Sequence, residues 1–498
     1  MLSFIRARRS ESWVALGLLC AACGSEGAAV EAQSSASTAT ESYFQTQFGI
    51  ALGDVVWGDM HTHTLFSQDA ALQGLLPGSS TSNPATVYAE ARARGFSFSA
   101  TSDHAEAPVP AQIPNGAPNV WESTRWMASA AEDVVDDADG IFLPFMGYEY
   151  TNPFPCVDMN PGDGINECNG GCTSLGGNES CTAHGHKNVV FRSISGAPYA
   201  RYSFLDPTSW TASGRDCRGN RPDSYCGFDT YTEYAADNLE LWAKLDAAGL
   251  GGAPADVLTI IHTPGNIHHN DWGVTDDAFV RHVEIFSQWG NSEGPAPAQC
   301  GRSQDISAEL PQGALNQTSE LIRPQLARRW LLLGDEAYVL GFVGGSDDHA
   351  GRPGGEGTGN GAITGVIPVA RTRDGVFDGM WHRHTMAATY YSATGPAPML
   401  VGMTAGSAEL LGGDLGTMPA SGDLTLHVLA DPSVEDIEVV VDGCTVQTFS
   451  GSSAEVSLSL PSDERHYVYV RARRQMTAAD AQTDYDVTWS SPIYLRAR

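Results

Sequence analysis

The sequence predicts an α/β domain of alternating strands and helices, followed by an antiparallel β-sandwich. Three observations predict this. Between residues 55 and 343, short apolar runs recur, with Ala-rich stretches of helical charge spacing between them. From residue 398 to 498 the runs alternate apolar and polar residues and are separated by Gly, Asp and Ser clusters. Most runs of the first region also end in a His, Asp or Glu, which is where α/β domains place their chemistry.

Residues 1–23 read as an export signal. Arg6, Arg8 and Arg9 form a basic start, and the apolar stretch 13–22 is too short to span a bilayer. Cys23 follows Ala21-Ala22 and precedes Gly24-Ser25, as at a bacterial lipoprotein cleavage site, although Cys20 replaces the usual leucine. A plain secretory signal is the alternative. The chain is therefore expected to be exported, to the periplasm, the outer membrane or the medium. Membrane contact is expected only through an N-terminal lipid anchor. Residues 24–42 are rich in Ala, Ser, Thr and Glu without apolar period, and 24–52 read as a flexible linker.

Residues 53–397 form the expected α/β domain. Its runs at 55–57, 96–100, 141–146, 257–261, 283–286 and 338–343 read as strands, and 84–94 and 121–137 as helices. A Gly-, Asn- and Asp-rich insertion at 152–183 interrupts it. Residues 398–498 form the expected sandwich, of roughly immunoglobulin-like type, with no catalytic constellation.

The chain carries 59 acidic and 28 basic residues, a net charge of -31, which excludes nucleic acid and anionic membrane surfaces as partners. Bound cations would relieve part of that charge. Ten cysteines suit an oxidising compartment. Two sit in the signal region, and Cys156, Cys168, Cys172, Cys181, Cys217, Cys226, Cys300 and Cys444 are expected to form disulfides. Their spacings lack the paired knuckles of a structural zinc site. In the insertion, Asp158, Asn160, Asp163 and Asn166 resemble a calcium loop in composition, but not in EF-hand spacing. A disulfide-tied surface loop is the alternative to a structural calcium there.

His61-x-His63 at a strand end projects both imidazoles to one face, and Asp347-x-His349 does the same. Asp69, His104, Glu149, His186 and His262 add nitrogen and oxygen donors, with no cysteine. Such a set favours zinc, manganese or iron and is large enough for two to three divalent ions. His184 is an alternative to His186. Two ions sharing a carboxylate acidify a water between them, and nearby cations would bind an anionic ester. Lys187, Arg192 and Arg352 are candidates for that contact. His268 and His269 are candidates to line the pocket or act as general acid. Glu284 and Glu293 either orient ligand imidazoles or are ordinary polar residues.

In this order, His61-x-His63, Asp69, Asp103-His104, Gly147-x-Glu149, His186, His262 and Asp347-x-His349 resemble the PHP (polymerase and histidinol phosphatase) superfamily. The strings Gly58-Asp59, His186-Lys187-Asn188-Val189 and Gly345-Ser346-Asp347-Asp348-His349 are similar to an exported bacterial branch of it. The resemblance spans roughly residues 53–498 and implies a distorted seven-stranded β/α barrel, related to the TIM barrel, with a trinuclear site. It implies that His61, His63, Glu149 and Asp347 hold one ion. Glu149 would bridge to a second held by His186 and His262, and Asp69, His104 and His349 would hold the third. Many relatives have His where Asp69 stands. The implied activity is metal-dependent hydrolysis of a small anionic ester, a phosphoester foremost, with Glu149, Lys187 and His269 in catalytic roles. A sulfate-ester hydrolase and a non-catalytic, metal-stabilised surface binding protein are the alternatives.

Overall fold

A computed structural model describes residues 31–33, 37–67, 82–105, 120–133, 142–151, 185–203, 232–262, 264, 270–297, 300, 321–355, 361–391, 394–475 and 485–498. The expected signal, Asp69, the 152–183 insertion with its calcium-like loop, His184, His268 and His269 lie outside the described residues. Among those described, no helix is long and apolar enough to cross a membrane.

The first domain is built on β2 (Val56–Asp59), β3 (Phe98–Thr101), β4 (Leu143–Tyr150), β5 (Lys187–Phe191), β8 (Val257–Ile261), β9 (Val280–Ser287) and β11 (Gly341–Gly344). The strands β12 (Ala362–Val366) and β13 (Thr385–Thr389) complete it, and β10 (Gly290–Asn291) forms a hairpin with β9. A separate short pair joins β6 (Arg201–Ser203) and β7 (Thr232–Tyr234). Helices α2 (Pro84–Ala93), α3 (Val120–Asp133), α4 (Asn238–Ala247) and α6 (Arg373–Trp381) connect strands. Between β10 and β11, α5 (Ile322–Leu326) continues as a wider-turned helix through Ala327–Leu332. Capping follows the sequence: Asn83 accepts from the Thr86 amide, Asp237 from that of Glu240 and Thr372 from that of Gly375.

The sheet is not uniformly parallel. β2–β3–β4 and β8–β9–β11 are parallel, but β5 runs antiparallel to both β4 and β8, and β12 antiparallel to β2. A hydrogen-bonded seven-stranded barrel is also not what these ladders form. Among the described residues no ladder joins β11 to β12. Side chains bridge that gap: the Thr364 hydroxyl accepts from the Gly344 amide and donates to the Gly344 carbonyl at 2.6 Å, and the Thr385 hydroxyl donates to the Phe342 carbonyl at 2.9 Å. The backbones approach closely, since a Cβ on Gly344 would lie 2.6 Å from the Ile363 carbonyl oxygen.

One face of this sheet is apolar low down, with Phe98, Ala100, Phe145, Val190, Leu258 and Ile260 packed together. The other packs Tyr148, Val189 and Val257 against Trp121, Leu241 and Trp242 of the helices. Burial on both faces leaves no polar alternation, as for strands covered on both sides. Along β4 the first face runs Leu143, Phe145, Gly147, Glu149. Thus the functional edge continues a core row.

The second domain is a two-sheet sandwich. One sheet orders β1 (Glu31–Gln33), β20 (Ser453–Ser459), β17 (Asp423–Ala430), β14 (Met399–Ala405) and β15 (Ala408–Leu411). The other contains β22 (Tyr485–Ser490), β21 (His466–Gln475), β18 (Asp436–Val441) and β19 (Cys444–Ser450), with β23 (Ile493–Arg496) and β16 (Leu415–Thr417) beside them. Met399, Val401, Leu426 and Val428 meet Ile437, Val439, Val468 and Val470 between the sheets. Pairing is antiparallel except between β16 and β23.

The domains are joined more tightly than a boundary at 397/398 suggests. β13 pairs with β22, so one sheet runs through both. Buried Glu293 receives Arg323 at 2.7 Å, Arg471 at 3.3 Å and the Trp489 indole at 2.9 Å, and the Tyr469 hydroxyl donates to it. A disulfide links Cys300 to Cys444. The expectation of a flexible linker over 24–52 is corrected for its second half. Helix α1 (Ser37–Gln47) packs on the sandwich, with Phe44 fully buried and the Tyr43 hydroxyl donating to Glu409 at 2.6 Å. Its anchors are a few aromatics in a polar background, so no apolar period announces it; tertiary packing stabilises it.

Glu293→Gln is expected to destabilise the protein by about 3–5 kcal/mol, because buried Arg323 loses its carboxylate and buried Arg471 keeps only that of Glu438. Urea unfolding measures this; a shift below about 1 kcal/mol would contradict the role given to the cluster.

Candidate metal centre

The strand ends of the first domain bring six imidazoles and three carboxylates together. His61 and His63 follow β2, His104 follows β3, Glu149 is near the end of β4, and His262 follows β8. Glu284 lies on β9, and Asp347 and His349 follow β11. His186 immediately precedes β5. Because β5 is antiparallel, its start, not its end, lies at this edge.

Four groupings have ligand atoms within 4.8 Å of one another: His61, His63, Glu149 and Asp347; Glu149, His186 and His262; His63, His104 and His349; and His61, His262 and Glu284. Glu149 belongs to two of them through different oxygens. Its Oε2 lies 3.3 Å from both His61 Nε2 and His63 Nε2, and its Oε1 lies 2.5 Å from His186 Nδ1. Asp347 Oδ1 lies 2.8 Å from His63 Nε2 and 3.3 Å from His61 Nε2, yet makes no aligned hydrogen bond. The donor atoms converge on shared space between them. That, with an all nitrogen and oxygen donor set, fits divalent cations.

The outward nitrogens are occupied by protein. His63 Nδ1 meets the Ser67 hydroxyl at 2.9 Å, and His349 Nδ1 donates to the Asp347 carbonyl at 2.8 Å. His61 Nδ1 and His262 Nδ1 lie 3.0 Å and 3.2 Å from Glu284. Such partners fix which nitrogen faces an ion.

Asp59 organises the edge. Its buried carboxylate accepts from the amides of His61, Ser346 and Gly354 and from the Thr62 hydroxyl, at 2.7 to 3.1 Å. It ties the β2 end to the segment after β11. Asp347 has φ of 51°, a left-handed conformation that Asp tolerates better than most residues. The Gln288 side chain donates to its carbonyl and the Trp289 indole to its Oδ2. Asp59, Ser67, Gln288 and Trp289 carry no role in the sequence reading. Only the Gly58-Asp59 string hinted at one of them.

Electrostatics follow from burial. Burial pushes the His63 imidazole down, and His349 adds to that, but Asp347 and Glu149 raise it to about 9. His61 is also raised well above 6.5: burial lowers it, and Asp347, Glu284 and Glu149 outweigh burial. Burial raises Glu149 and Asp347, but the surrounding imidazoles hold both well below the ordinary carboxylate range. His186 falls to about 4, with burial outweighing Glu149. Burial lowers Lys187 to about 7.

Several expected contacts lie elsewhere. Arg192, just past the end of β5, sits at the opposite edge because β5 is antiparallel; it pairs with Asp256 at 3.1 Å and Asp378 at 2.8 Å and stacks on Phe377. Glu293 orients no ligand and serves the domain joint. Arg352 pairs with Asp348 at 3.2 Å, close after His349. Lys187 is buried, its ammonium donating to Asn270 at 2.7 Å and to the His186 carbonyl at 3.3 Å.

No family model matches the chain, and no curated protein matches it. Among solved structures, it is similar to a two-domain protein from Bacteroides vulgatus that contains a predicted PHP-like metal-dependent phosphoesterase. The identity is 13% and the TM-score 0.34, over 88% of this chain and 95% of that one. So remote a likeness transfers no residue roles.

In the ion-free protein the raised His63 value contributes stability that is fully present below about 6.5 and lost as pH rises through about 9. Scanning calorimetry of chelated protein is therefore expected to show the melting temperature falling across that window. Ion-loaded protein should not follow this trend, since bound cations replace the protons. Identical pH profiles with and without chelator would contradict this.

Proposed function

We propose that the chain is an exported metal-dependent hydrolase of the PHP type that cleaves a small anionic ester, a phosphoester foremost. The observation that carries this reading is Glu149, whose two oxygens face two separate sets of buried imidazoles. A carboxylate so placed holds two cations side by side. His61, His63, Glu149 and Asp347 would hold one ion, and Glu149, His186 and His262 a second. His104 and His349, with Asp69 from outside the described residues, would hold a third. Bound zinc, manganese or iron would supply Lewis acidity, acidifying a water and offsetting charge on the ester oxygens.

The chain's own residues do the rest. Ser67, Glu284 and the Asp347 carbonyl keep imidazole nitrogens aimed inward. His269 is assigned to protonation of the leaving oxygen; the anion contact expected of Lys187 is not part of this reading, since its ammonium is held by Asn270 and the His186 carbonyl. A metal-stabilised scaffold without catalysis does not require so many donors in excess of what one closed site uses.

Elemental analysis is expected to find two to three divalent ions per chain. His61→Ala and Asp347→Asn are expected to lower hydrolysis of phosphate esters by more than about 100-fold, since loss of a ligand exceeds loss of its outer partner. A screen of phosphate and sulfate esters provides the readout. Fewer than two ions, or variants as active as the parent, would sink the reading.

A further inference from the structure

Glu284 stands on β9, between β8, which leads to His262, and β11, which leads to Gly345. It is buried, with side-chain exposure of 2%. Its Oε2 lies 3.0 Å from His61 Nδ1, and its Oε1 lies 3.2 Å from His262 Nδ1. One carboxylate therefore meets two imidazoles that the proposed function assigns to two different ions, although all three side chains also form a grouping of their own.

The other nitrogens of those rings face the opposite way. His61 Nε2 lies 3.3 Å from both Glu149 and Asp347, and His262 Nε2 lies 3.5 Å from Asp347. A neutral imidazole has one lone pair and one N–H. If Nε2 gives its lone pair to a cation, Nδ1 carries the hydrogen and requires an acceptor. The Asn188 amide also lies 2.8 Å from His61 Nδ1, but Glu284 is the carboxylate that reaches both rings at once. The fold keeps room for it: a Cβ on Gly345 would lie 2.7 Å from Glu284 Oε2 and 2.6 Å from His61 Cβ.

We infer that Glu284 is a shared positioning residue that couples the two ion positions of His61 and His262, so that they load together. This rests on the metal-site reading above. Orienting the carboxylate on one ring places its second oxygen on the other. By linkage, an ion that draws His61 into place strengthens binding at His262, and the reverse holds equally. The third ion, assigned to Asp69, His104 and His349, draws on neither His61 nor His262 and should load independently.

The test titrates chelated protein with zinc against a chromogenic competitor. Nitrogen–proton correlation spectra, recorded in parallel, report the tautomers of His61 and His262. In Glu284→Ala, two ions are expected to bind about 10–100-fold more weakly while any third is unchanged. Both histidines should lose their fixed Nδ1–H form. Glu284→Gln offers one acceptor and one donor, so it should keep only one ring oriented. Gly345→Ala, which crowds the carboxylate without removing it, should shift the same two ions. Unchanged melting of the chelated variants shows that folding is not the cause. Loss of a single ion in Glu284→Ala would make Glu284 a ligand and overturn the coupling. A loading curve superimposing on that of the parent would overturn it too, with the hydrolase reading intact. A parent protein binding fewer than two ions would overturn both.

Discussion

Glu149 sets the terms for the rest of the molecule. It is a buried carboxylate with imidazoles on both of its oxygens. Without cations, the neighbouring carboxylates raise His61 and His63 against burial, whereas burial keeps His186 below its ordinary value. With cations, the same lone pairs become donors. Buried charge of this kind is costly unless matched by opposite charge and by hydrogen bonds. The fold around it is largely an answer to that cost.

The answer has two parts. One is an outer layer of hydrogen bonds. Ser67 and Glu284 hold imidazoles from behind, and Asp59 gathers four donors from both sides of the site. The other is backbone held away from its preferred region at Asp347, which the Gln288–Trp289 turn clamps. Left-handed backbone at a non-glycine residue costs on the order of 1 kcal/mol or more. It persists because the Asp347 amide also donates to the His61 carbonyl at 2.7 Å, so the two ends of the chain's chemistry fix each other.

The sandwich belongs to this arrangement. The hairpin that carries Gln288 and Trp289 leads directly to Glu293, whose buried cluster reaches Tyr469, Arg471 and Trp489. The shared ladder from β13 to β22 and the Cys300–Cys444 disulfide brace the same joint. Disturbance in the second domain therefore has a short mechanical path to the clamp on Asp347.

The sequence by itself determined the donor set, because ligand chemistry restricts residue type and strand ends announce themselves by what terminates an apolar run. His61, His63, His104, Glu149, His262, Asp347 and His349 were legible that way, as was the change to alternating strands after residue 397; His186, which precedes its strand, was chosen over His184 by resemblance alone. Only the tertiary structure decided the rest. The runs that became β5 and β12 were not among the expected strands, and both run antiparallel to a neighbour, so Arg192, expected near the site, lies at the opposite edge. A lone Glu reads alike whether it meets two site imidazoles, as Glu284 does on β9, or joins domains, as Glu293 does just after β10. Helix α1 had too few apolar residues to show a period. In each case the deciding partner lies far along the chain, and only folding brings it near.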